Sequence, residues 1–208
     1  MDISGIKLIG IIRGIQEKDL VGTIEAAIAG GLTTIEITMN TPDSSLLIKK
    51  ASDFFSDRAI IGAGTVITKE DLNSALEAGA SFIVAPNFNV EIAGLCSINK
   101  TPYFPGALTP TEIINAWNAG VTMVKVFPVS SMGGARYIQE LRGPYASVKL
   151  LACGGVTPEN INEYFSAGID CIAIGSQIFN REWMENKQFD KIQRAAELFV
   201  QQVKVTLN

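Results

Sequence analysis

Short apolar runs rich in β-branched residues alternate with helix-like stretches along the whole chain. The runs cover residues 7–13, 33–38, 59–63, 81–85, 102–104, 122–127, 148–152 and 171–174. Strands of a parallel sheet are continuously apolar in this way because helices cover both faces of the sheet. Eight strand–helix units in 208 residues leave ~26 residues for each unit. We therefore predict an α/β fold, a single-domain (β/α)8 TIM barrel over residues 1–208; an open doubly wound sheet is the alternative.

Residues typical of helix ends separate these runs. Threonine precedes proline or an acidic residue at Thr68, Thr109 and Thr157, which predicts helix starts there. Ala-Gly pairs come just before several strands, as in EAAIAGGLTTIEI and EYFSAGIDCIAI. Glycine suits the left-handed position that follows a helix. We expect that conformation at Gly31, Gly79, Gly120 and Gly168.

The composition excludes several classes of function. The chain contains no histidine, and its three cysteines are far apart. We therefore expect no metal site, no disulfide framework and no cofactor. A net charge of −4 without a basic cluster argues against nucleic acid as a partner. Because there is no apolar run of 18 residues and no signal-peptide pattern, we expect no membrane association and a cytoplasmic location.

Three ionisable residues stand inside apolar strands. Lys125 occurs in VTMVKVFP, Glu36 in TTIEIT, and Arg13 closes IGIIR. Burial disfavours a charged ammonium, so a buried lysine tends toward the neutral amine, which is a nucleophile. A carboxylate in such a strand is either a counter-ion or an acid–base group. Arg13 is a candidate anion ligand, and a structural salt bridge is its alternative.

Small residues follow several of the predicted strands. The turns at Gly154-Gly155 and Gly175-Ser176 follow the last two strands, where barrels of this kind often bind phosphate. Gly62-Ala-Gly-Thr65-Val follows the third strand, and the Thr65 hydroxyl is a candidate carboxylate ligand. Pro86 closes the fourth strand. Turns that bind no ligand are the alternative for each of these segments.

Several motifs together resemble the 2-keto-3-deoxy-6-phosphogluconate (KDPG) and 4-hydroxy-2-oxoglutarate aldolase family. They are IEIT with Glu36, GAGTV, FIVAP, FPGALTPTE, VKVFP, GGVTPEN and IGS, in that order over roughly residues 5–180. The resemblance implies a (β/α)8 barrel, commonly trimeric, that uses a lysine Schiff base. It implies that the substrate is a small phosphorylated keto acid and that pyruvate is a product.

The resemblance also implies residue roles. Lys125 would form the Schiff base and Glu36 would accept and donate the proton. Thr65 would contact the pyruvoyl carboxylate, Arg13 would bind substrate anion, and Pro86 and Phe127 would line the pocket. The phosphate would bind at Gly154, Gly155, Gly175 and Ser176.

Two positions depart from the pattern of KDPG enzymes. Asn40 stands where they usually carry an arginine that grips the substrate carboxylate, and Cys153 stands where they often carry threonine. Asparagine at position 40 is similar to the 2-dehydro-3-deoxy-6-phosphogalactonate branch. A neutral amide lacks the bidentate, charge-assisted contact of arginine. The exact sugar acid therefore stays open.

These features favour a class I aldolase that cleaves a KDPG-type acid to pyruvate and glyceraldehyde 3-phosphate. The close alternatives are 4-hydroxy-2-oxoglutarate aldolase and 6-phospho-2-dehydro-3-deoxygalactonate aldolase. The more distant ones are a phosphosugar isomerase or epimerase and a non-catalytic phosphometabolite-binding barrel, since a fold alone does not establish chemistry.

Overall fold

A computed structural model describes residue 3 and residues 5–207 of the chain. Its strands are β1 (Leu8–Ile12), β2 (Thr34–Thr38), β3 (Ile60–Gly64), β4 (Ile83–Val84), β5 (Tyr103–Phe104), β6 (Gly106–Ala107), β7 (Val124–Val126), β8 (Leu150–Cys153) and β9 (Cys171–Ile174). Its helices are α1 (Glu17–Ala29), α2 (Ser44–Phe55), α3 (Lys69–Glu77), α4 (Val90–Ile98), α5 (Pro110–Asn118), α6 (Ala135–Arg142), α7 (Ile161–Ser166), α8 (Arg181–Glu185) and α9 (Phe189–Leu207), with a 3-10 turn at Val129–Met132.

The sheet closes on itself through one short segment. Its strand order is β5-β4-β3-β2-β1-β9-β8-β7-β6, and every neighbouring pair is parallel. The two ends of this order, β5 and β6, flank Pro105, which has no backbone N–H to donate to a ladder. Together they form the fifth strand of an eight-stranded barrel. The predicted (β/α)8 barrel is confirmed, and the open sheet is excluded.

The side chains of the strands alternate between two layers of core. Ile35, Ile37 and Val124 point outward and pack under the helices. The inward positions form a second cluster inside the barrel: Ile9, Phe82, Val84, Phe104, Met123, Leu151, Cys153, Cys171 and Ala173. Phe82 and Phe104 meet edge to face, with ring centroids 5.9 Å apart. The barrel interior is therefore packed with side chains, as is usual in this fold.

Most of the predicted helix ends are confirmed. Thr68 and Thr109 each form a capping box, with Asp71 and Glu112 respectively. Gly31, Gly79, Gly120 and Gly168 all have positive φ, between 77° and 95°.

The start predicted at Thr157 is wrong by three residues. Helix α7 begins at Ile161, after a turn at residues 158–160 in which the Asn160 N–H donates to the Thr157 carbonyl (3.2 Å). The Asn160 side chain also donates to the Gly155 carbonyl (3.0 Å), which holds this turn against the preceding one.

Candidate active site

The carboxyl ends of the strands surround a cavity of about 680 Å³. Most of the residues predicted from the sequence line it: Arg13, Thr65, Pro86, Lys125, Phe127, Gly154, Gly155, Gly175 and Ser176. Active sites of (β/α)8 barrels lie at this end because the strand-to-helix loops converge there. Closure of the barrel thus brings together residues from distant parts of the chain.

Lys125 lies at the centre of β7 and points into the barrel. Its side chain is 7% exposed, and its Nζ atom lies 5.3 Å from the centroid of the Phe127 ring. The flanking strands place Gly106 and Leu151 opposite it. An amine is therefore presented to the cavity from mostly apolar surroundings, which suits a nucleophile.

Glu36 lies deeper, on β2, and does not line the cavity. It is 1% exposed, and neither carboxyl oxygen has a hydrogen-bond partner among the residues that the structure describes. Burial raises the pKa of Glu36, while the positive charges of Lys125 and Arg13 oppose that rise. A carboxyl group with a raised pKa keeps its proton to a higher pH than an ordinary glutamate does, which suits an acid–base group.

The glycines of β3 make room for this carboxyl group. A methyl group added at Gly64 would lie 2.7 Å from the carboxyl carbon of Glu36, and one at Gly62 would lie 2.5 Å from the Phe82 ring. These small residues admit two inward-pointing side chains, so Gly64 contributes to the position of Glu36.

Arg13 and Thr65 meet at the rim of the cavity. A guanidinium nitrogen of Arg13 donates a hydrogen bond to Thr65 Oγ1 at 3.4 Å. Thr65 has a φ of 55°, a left-handed conformation that is rare for a β-branched residue. Such strain is often found at functional sites. The two side chains form a cationic and hydroxyl pair suited to an anion.

Two turns after neighbouring strands line another part of the wall. Gly154 and Gly155 have φ values of 95° and 79° after β8, and Gly175-Ser176 follows β9. The turn predicted at Gly175-Ser176 is closed by the N–H groups of Ile178 and Phe179, which both donate to the Gly175 carbonyl, and α8 begins only at Arg181. The backbone N–H groups that could bind a phosphate here therefore belong to turns and not to a helix N-terminus.

Asn40 stands apart from the other predicted residues. It is exposed, in the turn after β2, and is not among the residues that line the cavity. Pro86 and Phe127 both reach the cavity wall, and Phe127 is 37% exposed.

The sequence analysis assigned no role to two ionisable residues of the cavity, Cys153 and Arg181. Cys153 had been noticed as a departure but given no role; burial raises the pKa of its thiol, and Lys125 opposes the rise. Arg181 was not singled out, although a cation five residues after the Ser176 turn was a usable signal.

Residues 2–195 match the family model described as KDPG and KHG aldolase. The chain belongs to this aldolase family. KHG denotes 2-keto-4-hydroxyglutarate, another name for 4-hydroxy-2-oxoglutarate. The suspected resemblance is confirmed, and the protein is an aldolase, a carbon–carbon lyase.

Curated relatives carry the names of both branches. The chain is 35% identical over 173 residues to 2-dehydro-3-deoxy-6-phosphogalactonate aldolase of Escherichia coli K12, which covers 83% of this chain and 84% of that protein. It is 33% identical over 159 residues to 2-dehydro-3-deoxy-phosphogluconate aldolase of Treponema pallidum, covering 76% and 75%. The two identities are too similar to choose a branch.

A solved structure shows the fold and the chemistry of a relative. KDPG aldolase from Legionella pneumophila, 27% identical, superposes with a TM-score of 0.87 over 93% of this chain and 94% of its own. In that structure pyruvate was captured at low pH as a covalent carbinolamine intermediate. The family thus includes an enzyme that binds pyruvate covalently.

None of the helices formed within residues 5–207 is long and apolar enough to cross a membrane. No group of three or more histidine, cysteine or acidic side chains in that part of the chain is arranged to hold a metal ion.

Proposed function

We propose that this aldolase cleaves a 2-keto-3-deoxy-6-phospho sugar acid to pyruvate and glyceraldehyde 3-phosphate. The observation that carries the proposal is a buried lysine at the centre of the cavity with an unpaired, buried carboxyl group close enough to interact with it electrostatically. Curated relatives with this activity, in both epimer branches, support the substrate class.

Lys125 would carry the covalent chemistry. Its neutral amine attacks the C2 ketone, and loss of water leaves a protonated imine. This cation accepts the electron pair of the C3–C4 bond, so the bond breaks once the C4 hydroxyl has lost its proton. Hydrolysis of the remaining enamine, after protonation at C3, releases pyruvate and regenerates the lysine.

Glu36 would move the protons. It accepts the proton of the C4 hydroxyl, directly or through one water molecule, and returns a proton to C3 of the enamine. A carboxyl group with a raised pKa suits both steps because it is a stronger base than an ordinary glutamate carboxylate and can then return the proton as an acid.

The anionic ends of the substrate would occupy different parts of the wall. Arg13 and Thr65 would bind the carboxylate, and the turns at Gly154-Gly155 and Gly175-Ser176 would bind the phosphate through backbone N–H groups. The alternative substrate, 4-hydroxy-2-oxoglutarate, has no phosphate and would leave these turns unused.

The decisive experiment is borohydride trapping with pyruvate, followed by peptide mapping. We expect a single reduced adduct on Lys125, its loss in Lys125→Gln, and its retention in the control Lys149→Gln, whose lysine lies at the other end of the barrel. Glu36→Gln should form the adduct but cleave substrate slowly. The absence of an adduct would contradict the proposed function and favour the isomerase or binding-protein alternatives. An adduct on another lysine would contradict the role of Lys125. Comparison of kcat/KM on the gluconate and galactonate epimers would assign the branch.

We further propose that the protein is a cytoplasmic homotrimer and that the exposed face of α4 takes part in the interface. Val90 and Ile98 are 72% and 77% exposed, and their spacing of eight residues places them on one side of the helix. Ile67, 47% exposed, precedes the neighbouring helix α3. Exposed apolar surface of this kind is typical of association sites.

Light scattering after gel filtration tests the assembly. The wild type should have the mass of three chains. Val90→Asp with Ile98→Asp should lower this mass, whereas Val205→Asp, at a residue equally exposed on α9, should not. A wild type that runs as a monomer would contradict the trimer. An unaffected double variant would place the interface elsewhere.

A further inference from the structure

Arg181 lies at the cavity but has no part in the roles proposed so far. It lines the same cavity as Gly175 and Ser176, follows Ser176 by five residues in the chain, and is the first residue of α8. Its Nε atom donates to Glu185 Oε1 at 2.7 Å, within the same short helix. The arginine side chain is 81% exposed and that of Glu185 is 44% exposed. The pair is therefore open to solvent and to anything that enters the cavity.

The charges around the cavity leave one end of the proposed substrate without a cation. The protein has a net charge of −4, and the substrate class carries both a carboxylate and a phosphate. Arg13 reaches toward β3, where it contacts Thr65, and Lys125 is committed to the ketone. The glycine turns supply N–H groups but no positive charge. Arg181 is the cavity-lining cation that follows the Gly175-Ser176 turn.

We propose that Arg181 binds the phosphate group of the substrate by exchanging Glu185 for it. This inference rests on the proposed function. Exposed ion pairs contribute little to stability, so the bond to Glu185 is easily replaced. A phosphate offers more charge and more acceptor oxygens than a carboxylate, and the planar guanidinium can bind two of them at once. In this arrangement Arg181 sets the preference for phosphorylated substrates, and Glu185 holds the guanidinium beside the cavity between turnovers.

Substitutions of Arg181 and of Glu185 should change KM for the phosphorylated sugar acid in opposite directions. Arg181→Gln removes the contact, so KM for the phosphorylated sugar acid should rise about tenfold with kcat little changed. Glu185→Gln removes the competing carboxylate, so the same KM should fall by a small factor. Arg136→Gln is the matched control, because Arg136 forms an equivalent exposed pair with Glu140 away from the cavity. Arg136→Gln should leave KM and kcat for the phosphorylated sugar acid unchanged.

Substrates with and without phosphate separate this role from a structural one. Steady-state kinetics of all four proteins would be measured on the phosphorylated acid and on 4-hydroxy-2-oxoglutarate, and inorganic phosphate would be tested as a competitive inhibitor. Arg181→Gln should leave kcat/KM for the unphosphorylated acid unchanged and should weaken inhibition by phosphate. The proposal would be overturned if Arg181→Gln lost kcat/KM equally on both substrates, or if its kcat/KM changed on neither.

The pyruvate adduct keeps this test independent of the proposed function. If Arg181→Gln forms the Lys125 adduct as the wild type does, but shows no change specific to the phosphorylated acid, then Arg181 has no phosphate role and the aldolase assignment stands. If the wild type forms no adduct and cleaves neither acid, the proposed function fails and the role of Arg181 fails with it.

Discussion

Substitution of Gly64 by alanine tests whether the position of Glu36 limits catalysis. The added methyl group would lie 2.7 Å from the carboxyl carbon of Glu36 and 3.2 Å from its Cγ atom. Carbon atoms in contact prefer about 3.5–4.0 Å, so the carboxyl group must move by roughly 1 Å. The φ of Gly64 is not in the left-handed range, so the backbone itself accepts alanine.

Both stability and rate should respond to this displacement. Extra volume in a packed interior costs about 1–3 kcal/mol, which for a chain of this size lowers Tm by roughly 2–12 °C. A catalytic group misplaced by about 1 Å loses on the order of 100-fold in rate. The three atoms nearest the new methyl group all belong to Glu36, and none belongs to Lys125. Gly64→Ala should therefore cleave substrate about 100-fold more slowly while still forming the pyruvate adduct.

The assay couples pyruvate release to the oxidation of NADH by lactate dehydrogenase, alongside thermal melts and borohydride trapping. Gly143→Ala is the control, because a methyl group there meets only an ordinary contact at 3.7 Å. It should retain the wild-type rate. A Gly64→Ala variant with wild-type kcat and Tm would refute the geometric reasoning. Loss of the adduct would show that the methyl group acts on Lys125 rather than on Glu36.

Two further predictions concern stability. Burial raises the pKa of Glu36, so the folded protein keeps a proton that the unfolded chain releases above pH 4.5. The wild type therefore loses stability as the pH rises from 4.5 through the pKa of Glu36 in the folded protein. Melting curves across this range should show Glu36→Gln gaining Tm relative to wild type as the pH rises. Glu112→Gln should show the opposite dependence on pH. Hydrogen bonds from Thr109 and Leu108 lower the pKa of Glu112, so the ionised carboxylate stabilises the folded wild type. The higher Tm of the wild type should therefore disappear as the pH falls below 4.5 toward the pKa of Glu112 in the folded protein. A parallel response of the two variants would contradict this account. Arg142 binds the Val148 carbonyl and pairs with Asp170 at 2.6 Å near the amino ends of β8 and β9. Denaturant titration should show that Arg142→Met costs roughly 2–4 kcal/mol with kcat of the folded enzyme unchanged, whereas Arg136→Met should cost almost nothing. A large loss of kcat would contradict a purely structural role for Arg142.

The strands and most helix ends were predictable because their causes are local. A buried parallel strand must be apolar along its whole length, and a helix end needs particular residues within a few positions. Thr68, Thr109 and the four glycines that end helices follow these rules. The error at Thr157 arose because the Asn160 side chain donates to the Gly155 carbonyl, so that a turn precedes the helix.

The candidate site was predictable to a lesser extent. Lys125 and Glu36 were recognisable because a charged side chain in an apolar strand costs free energy of folding, so its presence there points to a function. The reason for Gly64 was not visible, since it depends on a side chain from the neighbouring strand. Arg181 escaped notice because an arginine in an exposed segment looks like ordinary surface. The predicted roles of Asn40 and of the other site residues stay predictions.

The alternation of strands and helices, the buried lysine and the absence of histidine were determined by the sequence alone. Each is a property of one residue or of a short window, so no knowledge of distant contacts is needed to see it. The tertiary structure decided that the sheet closes at Pro105, that Glu36 lies over Gly64 near Lys125, and that Arg181 faces the cavity. These facts depend on which distant segments closure of the barrel brings together, and local patterns carry no record of that pairing.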